Sequence, residues 1–378
     1  MTVHAIRSLR TDTTDRPFLV IWEVTRACGL VCRHCRADAQ PRRDPLELDT
    51  DEGRRLLDDL AAYGPPRPIV VLTGGDPFQR PDLVELVAHG SDAGLNVSLS
   101  PSVTPLLTRD ALAALRDAGA GAVSLSLDGD TAASHDGLRG VPGVFDATME
   151  AARHVRDLGY RLQINTTVTA NNVAELPDIL RIVLELQAGL WSVFFLVPTG
   201  RGSALGQLTA EQTEGVLHWL HDVSPYVPVK STEAPHFRRI GLQRAAGATV
   251  APGALRRSLA ARTAAVLADV AMRPSGPRPP LDVNAGRGFA FIDHHGTVYP
   301  SGFLPEPAGS VRTQPFPVIY RCSPLLQALR DPDRLGGRCG RCEFRDVCGG
   351  SRSQAFAASG DPLAEDPTCV HPATDGGR

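Results

Sequence analysis

Thr25-Arg-Ala-Cys-Gly-Leu-Val-Cys-Arg-His-Cys-Arg36 follows directly on an apolar run and gathers Cys28, Cys32 and Cys35 into one short segment. The spacing C-x3-C-x2-C supplies three thiolates. A [4Fe–4S] cube held by protein alone takes four cysteines, so three would leave one iron open to a small molecule. A zinc knuckle is the competing reading of three close cysteines. It needs a fourth ligand nearby, and His34, lying between two of the thiolates, is poorly placed to supply it.

Working outward, Val70-Val-Leu-Thr-Gly-Gly-Asp-Pro-Phe78 reads as an apolar strand that ends in Gly-Gly-acid-Pro. Glycine tolerates unusual dihedrals and lets backbone approach a ligand closely. Val123-Ser-Leu-Ser-Leu-Asp-Gly129 is a buried-strand pattern ending in polar residues. Together these three stretches resemble the radical S-adenosylmethionine (SAM) enzymes. The resemblance implies that Cys28, Cys32 and Cys35 hold a catalytic [4Fe–4S] cluster whose open iron is chelated by the amine and carboxylate of SAM. The reduced cluster would cleave SAM to methionine and a 5′-deoxyadenosyl radical, which takes hydrogen from an unactivated C–H bond; the protein positions that cofactor chemistry. By the same resemblance His34 stands where an aromatic usually packs on the adenine. Gly74, Gly75 and Asp76 match the motif that binds the SAM amino group, with Asp76 replacing the commoner glutamate. Arg139, in Leu138-Arg-Gly140, resembles an arginine that meets the SAM carboxylate.

Bulk properties narrow the setting. At 378 residues the chain suits one large barrel with a smaller domain. A net charge of −3 gives no reason to expect nucleic acid or an anionic membrane as partner. Met1 to Pro17 is polar and mixed in charge, unlike a signal peptide, and no apolar run approaches the roughly 20 residues that span a bilayer. Seven of the eight cysteines fall in two clusters, which reads as metal ligation in a cytoplasmic protein.

From Phe18 to Val197 apolar runs alternate with amphipathic ones. Strands are expected at Phe18–Val24, Pro68–Leu72, Asn96–Leu99, Ala122–Leu127, Leu162–Val168 and Trp191–Val197. Helices are expected at Asp51–Ala62, Pro81–Ala93, Thr108–Ala118, Phe145–Leu158, Ala174–Leu186 and Thr209–Val223. Such alternation predicts a parallel sheet with right-handed crossovers, and six units match the partial (β/α)6 TIM-like barrel of the radical SAM superfamily. The cysteine loop and the Gly-Gly-Asp-Pro turn then lie at the C-terminal rim, where barrel enzymes place their chemistry. Leu255–Ala271 reads as a helix, on the surface or as a bridge or lid between domains. Gly288–Asp293 and Thr297–Tyr299, joined by His-His-Gly, read as a β-hairpin, with His294 and His295 in its turn, where adjacent side chains do not easily face one site. The expected organisation is an N-terminal extension (1–17), the barrel (18–230), a linking region (231–287) and a small cysteine-rich domain (288–378).

Cys339, Cys342, Cys348 and Cys369 are spaced C-x2-C-x5-C-x20-C. That spacing serves a structural zinc or a fully ligated [4Fe–4S] cluster about equally, in a segment too poor in apolar residues to fold without a metal. The wording from Cys339 to Cys369 resembles a SPASM/twitch-type auxiliary-cluster domain. It is similar in particular to the branch of heme and heme d biosynthesis, and this decides for iron–sulfur. Where relatives carry cysteines for an inner auxiliary cluster, this chain has Ser301 and Ser351. The resemblance therefore implies two clusters in total, the SAM-binding one and one outer auxiliary [4Fe–4S] cluster. Cys322 is left as a free thiol.

Ser126 and Asp128 at the end of the fourth strand, and Asn165 on the fifth, could touch the SAM ribose; an Asp-Gly turn and a polar strand face are the plainer readings. Arg201, in Pro198-Thr-Gly-Arg-Gly202, and His236, in Thr232-Glu-Ala-Pro-His-Phe-Arg-Arg239, are candidate substrate contacts. The function read from the residues is hydrogen abstraction from a small-molecule, tetrapyrrole or peptide substrate, fed by a reductant such as flavodoxin or ferredoxin. For a tetrapyrrole the reaction would be side-chain decarboxylation. Only about 17 residues precede the first strand, so no fused leader-binding domain is expected for a peptide. A non-catalytic iron–sulfur sensor on the same barrel is the alternative of another class.

Overall fold

The computed structural model describes residues 6, 7, 9, 11–270, 274 and 278–372. Parts of the N-terminal extension, the last residue of the expected Leu255–Ala271 helix and residues 373–378 lie outside them. Seven parallel strands run in sequence order: β1 (Leu19–Glu23), β2 (Ile69–Thr73), β3 (Asn96–Leu99), β4 (Ala122–Ser126), β5 (Arg161–Val168), β6 (Leu190–Phe195) and β7 (Val229–Thr232). Between and after them come α1 (Thr50–Ala61), α2 (Leu83–Asp92), α3 (Arg109–Asp117), α4 (Ala132–Arg139), α5 (Val144–Asp157), α6 (Leu176–Glu185), α7 (Ala210–Val223), α8 (Phe237–Ala245) and α9 (Ala254–Val270). Sequence defines several helix ends. Asp49 and Glu52 form a capping box at α1, as do Thr209 and Gln212 at α7, and Gly140 closes α4 in the left-handed conformation.

Strand periodicity of two sorts the side chains into two faces. Val20, Trp22, Val70, Leu72, Ile164 and Trp191 turn outward and are buried under the helices. Their neighbours Leu19, Ile21, Val71, Ser98, Ser124 and Asn165 turn inward and line a central cavity. The register carries one inward row across the sheet: Phe291↔Ile21, Ile21↔Val71 and Val71↔Ser98. Among the described residues β7 and β1 do not pair, so the barrel is partial.

The C-terminal segment joins the same sheet. β8 (Asn284–Ala285) pairs with β9 (Gly288–Ile292). β9 in turn lies parallel to β1 and antiparallel to β10 (Thr297–Tyr299), and β11 (Gly309–Ser310) completes the edge. The sheet therefore continues across the boundaries drawn at 230/231 and 287/288. Short helices follow: α10 (Phe316–Cys322), α11 (Pro324–Arg330), α12 (Gly337–Arg341) and α13 (Arg352–Ser359). Helix α9 packs outside on α6 and α7, where the Trp219 indole donates to Thr263 Oγ1 at 2.9 Å and Arg262 pairs with Asp178 at 2.7 Å. It is a surface helix, away from the cavity. No described helix is long and apolar enough to cross a membrane.

Packing between α1, α2 and β1 depends on Gly53. A Cβ there would sit 2.7 Å from the Trp22 ring and 2.9 Å from a Leu86 methyl, and Trp22 is fully buried. Alanine gains about 1 kcal/mol in helix propensity, but overpacking costs about 1–3 kcal/mol. Gly53→Ala is expected to lower the thermal unfolding temperature, whereas an unchanged or higher value would mean that the Trp22 contact relaxes freely.

Candidate active site

The cysteine loop after β1 is fastened by backbone. Gly75 N–H donates to the Thr25 carbonyl at 2.8 Å and Asp76 N–H to that of Ala27 at 2.7 Å. Any Cβ at Gly74 or Gly75 would overlap the carbonyl oxygens of Thr25 and Ala27. On the other side, Arg201 N–H donates to the Cys35 carbonyl at 3.0 Å. Gly200, at φ +53, packs so tightly that a Cβ would lie 2.5 Å from the Arg36 carbonyl oxygen. Arg33 N–H reaches the Leu138 carbonyl at 2.8 Å.

So held, Cys28, Cys32 and Cys35 all line the cavity. Weak hydrogen bonds engage their sulfurs: Cys28 accepts from Leu30 N–H at 3.3 Å and donates to Ser102 Oγ at 3.4 Å, and Cys35 accepts from Ala39 N–H at 3.5 Å. Arg139 brings a guanidinium nitrogen to 3.7 Å from Cys32 Sγ. Three convergent thiols with amide donors and one cation suit an anionic iron–sulfur cube with an open iron. Among the described residues no fourth cysteine lines this cavity.

The other sequence-named residues divide between the cavity and the structure behind it. His34, Gly74, Gly75, Ser126, Arg139, Asn165 and Arg201 line the cavity. His34 is held neutral, its pKa lowered to about 4 by burial against the pull of Asp128 at 3.8 Å. Asn165 accepts from Gln163 Nε2 at 2.7 Å. Asp128 and Asp76 do not line it. Burial would raise the Asp128 pKa, but the ion pair with Arg139 overrides this and leaves it low. Thr167 N–H donates to the same carboxylate at 2.6 Å. Asp128 thus positions Arg139. Asp76 caps the turn that follows it, accepting from Phe78 N–H at 3.2 Å and Thr104 Oγ1 at 2.6 Å, and burial pushes its pKa up to about 6. Its side chain shapes the loop, and only the two glycines meet the cavity.

Two expectations are corrected. His236 is not a cavity residue: it is fully buried, 3.8 Å from Asp366, because α8 begins there and turns the ring into the core. His294 and His295 do face one group together. Their rings lie 4.0 Å apart and approach Asp44 at 3.9 and 3.0 Å, while His294 also meets Glu23 at 3.2 Å.

The second cysteine cluster closes around a cavity of about 30 Å³ lined by Cys339, Cys342, Cys348 and Cys369 with Arg239, Arg338 and Arg345. Asp366 N–H donates to Cys339 Sγ at 3.3 Å and Phe344 N–H to Cys342 Sγ at 3.4 Å. Four thiols ringed by guanidiniums fit a fully ligated, negatively charged cluster. Ser301 and Ser351, at the inner positions, both donate to Glu233, at 2.9 and 2.5 Å. Sequence reasoning passed over Glu233 and its neighbour Lys230. Cys322 is an exposed free thiol.

The central cavity, about 890 Å³, has one apolar side (Leu19, Ile21, Ile69, Val71, Phe289, Phe291) and one polar side (Ser98, Ser124, Ser126, Gln163, Asn165, Thr232). Three convergent cysteines at the rim of such a lumen are the arrangement of a radical SAM enzyme, and comparison with known proteins agrees. A sequence model of the Radical SAM superfamily matches residues 22–183. An AdoMet-dependent heme synthase of Nitratidesulfovibrio vulgaris is 40% identical over 376 residues, 98% of this chain and 96% of that protein. The AdoMet-dependent heme synthase of Methanosarcina barkeri is 38% identical over 360 residues, 95% of this chain and 97% of that one. Among solved structures, Streptococcus suis SuiB bound to precursor peptide SuiA superposes with a TM-score of 0.68 at 14% identity, covering 94% of this chain and 76% of that one. The chain belongs to the radical SAM superfamily. It is an enzyme that binds a [4Fe–4S] cluster together with SAM, and its cysteine-rich C-terminus fits an auxiliary cluster of the SPASM type.

Gly75→Ala is expected to displace the cysteine loop and abolish the SAM-responsive cluster signal in electron paramagnetic resonance, while the C-terminal cluster signal persists. Retention of both signals would show that the close approach at Gly75 does not hold the loop.

Proposed function

We propose that this enzyme oxidatively decarboxylates propionate side chains of an iron tetrapyrrole, the chemistry of an AdoMet-dependent heme synthase. Identity to such synthases along almost the whole chain supports the reading. The observation that carries it is the lumen. A flat macrocycle has apolar faces and a carboxylate-bearing edge, and this cavity offers an apolar wall opposite a polar one. At its rim Arg201 keeps Nε and one terminal nitrogen buried without a hydrogen-bond partner, with Asp38 no nearer than 4.0 Å. Buried guanidinium nitrogens without partners are costly until an anion arrives, and a carboxylate can take both of these.

Cys28, Cys32 and Cys35 would hold the cluster that, with SAM, supplies a hydrogen-abstracting 5′-deoxyadenosyl radical. Cys339, Cys342, Cys348 and Cys369 would hold the auxiliary cluster, a one-electron redox group. Conversion of a propionate to a vinyl group releases one hydrogen atom, one carbon dioxide and one electron, so each decarboxylation needs a one-electron acceptor. On this reading Gly74 and Gly75 admit the SAM backbone, His34, Ser126 and Asn165 border its nucleoside, and the Arg139–Asp128 pair fixes a cation beside the cluster. Arg201 orients the substrate carboxylate, and Phe194 and Phe291 cover the macrocycle. Flavodoxin or ferredoxin as reductant and a cytoplasmic setting, without nucleic acid or membrane, complete the proposal.

Anaerobic incubation of the reconstituted enzyme with SAM, reductant and iron coproporphyrin III is expected to yield vinyl-bearing product and 5′-deoxyadenosine in step. Arg201→Met should raise KM about tenfold or more, the scale of one charge-assisted hydrogen bond. Turnover of a precursor peptide in place of the tetrapyrrole would refute the assignment.

A further inference from the structure

Lys230 is the single lysine among the 39 lysine and arginine residues of the chain. It lies on β7 in register with Ser192 of β6, which pairs with Asn165 of β5 and through it with Ser126 of β4. Residues paired across neighbouring strands share a face of the sheet. Lys230 therefore projects into the lumen in the row of Asn165 and Ser126, and it lines the cavity. Two strand spacings, about 10 Å, separate its backbone from that of Asn165.

Three of the arginines that line the cavity with it are committed to the protein. Arg36 is paired with Glu23, Arg139 with Asp128, and Arg238 donates to the carbonyls of Leu281, Val283, Val347 and Cys348. Lys230 makes no hydrogen bond or ion pair among the described residues; Glu233 is the one charged group that acts on it, from a distance. Glu233 is itself engaged. It stands at φ +59 after the strand and accepts from Ser301 and Ser351. Burial pushes its pKa up in spite of these donors, toward the neutral acid, and burial lowers that of Lys230. The Lys230 side chain is thus left in the lumen without a hydrogen-bonding or ion-pairing partner among the described residues.

We infer that Lys230 anchors a carboxylate of the substrate inside the lumen, a second ionic contact beyond Arg201. The inference rests on the tetrapyrrole reading, in which that group is a propionate. A lysine suits an interior point contact: its ammonium is a compact charge on a flexible stem, where a planar guanidinium requires a fork of acceptors.

The uniqueness of Lys230 provides the test. Reductive methylation of the reconstituted holoenzyme can modify only Lys230 and the terminal amine, and peptide mass mapping separates the two. Iron coproporphyrin III is expected to slow methylation of Lys230 at least tenfold, with the terminal amine unaffected. Its tetramethyl ester, of similar size but without carboxylates, should not. In optical titration Lys230→Met should weaken binding of the free acid about tenfold or more, with Lys230→Arg restoring part of it, and the SAM-induced change in the cluster spectrum should be unaltered. Binding to the unaltered enzyme without protection, or equal protection by the ester, would overturn the role of Lys230 and leave the tetrapyrrole reading standing. Loss of the SAM response in Lys230→Met would also overturn it, reassigning the residue to the cofactor. If the unaltered enzyme binds no iron coproporphyrin III, the tetrapyrrole reading falls and this inference with it.

Discussion

The rest of the site depends on close backbone packing around one loop. The cysteine segment has no regular structure of its own, yet three thiols must converge on one side of a cavity. Contacts from three other segments impose that arrangement: the Gly74-Gly75 turn after β2, the end of α4 at Leu138, and Gly200-Arg201 after β6. At Gly74, Gly75 and Gly200 a Cβ would collide with carbonyl oxygens of the cysteine segment, so the approach is set by the absence of a side chain. Each of these segments lies at or just beyond the end of a strand or helix of the barrel. The barrel's regularity is thereby passed on to an irregular loop.

A second constraint is the two-faced strand. Outward residues build the core that holds helices to sheet, and inward residues remain free to vary. Here the inward face is mostly apolar on β9, β1 and β2 and mostly polar on β3, β4, β5 and β7, while β6 adds Leu190 and Phe194. The lumen is consequently a binding cavity, unlike the packed interior of a closed eight-stranded barrel.

Much of this was legible in sequence. Six strands and the six main helices of the barrel were placed to within a few residues, because each combines apolar periodicity with cap or turn signals, as in Asp49-Thr-Asp-Glu52. β7 escaped because Val229-Lys-Ser-Thr232 is short and mostly polar, its inward face being part of the lumen. The parallel pairing of β9 with β1 joins residues almost the whole chain apart, and no local pattern encodes it. His236 looked available as a donor among Arg238 and Arg239, but α8 buries it. Lys230 was visible from composition alone, and its meaning became apparent only once the register placed it in the lumen.

Glu233 bonded to Ser301 and Ser351 gives physical content to the two serines at the inner auxiliary positions. Two hydroxyl groups and a carboxylate meet there, and among the described residues the four-cysteine pocket is the auxiliary site the cysteines outline. The account's central claim is therefore two clusters with different chemistry at their irons. Mössbauer and electron paramagnetic resonance spectra of the anaerobically reconstituted protein, with and without SAM, test it most directly. Two [4Fe–4S] clusters are predicted, of which SAM perturbs one; Cys32→Ala should remove that one and Cys348→Ala the other. A single cluster, or a SAM response that survives in Cys32→Ala, would contradict the account.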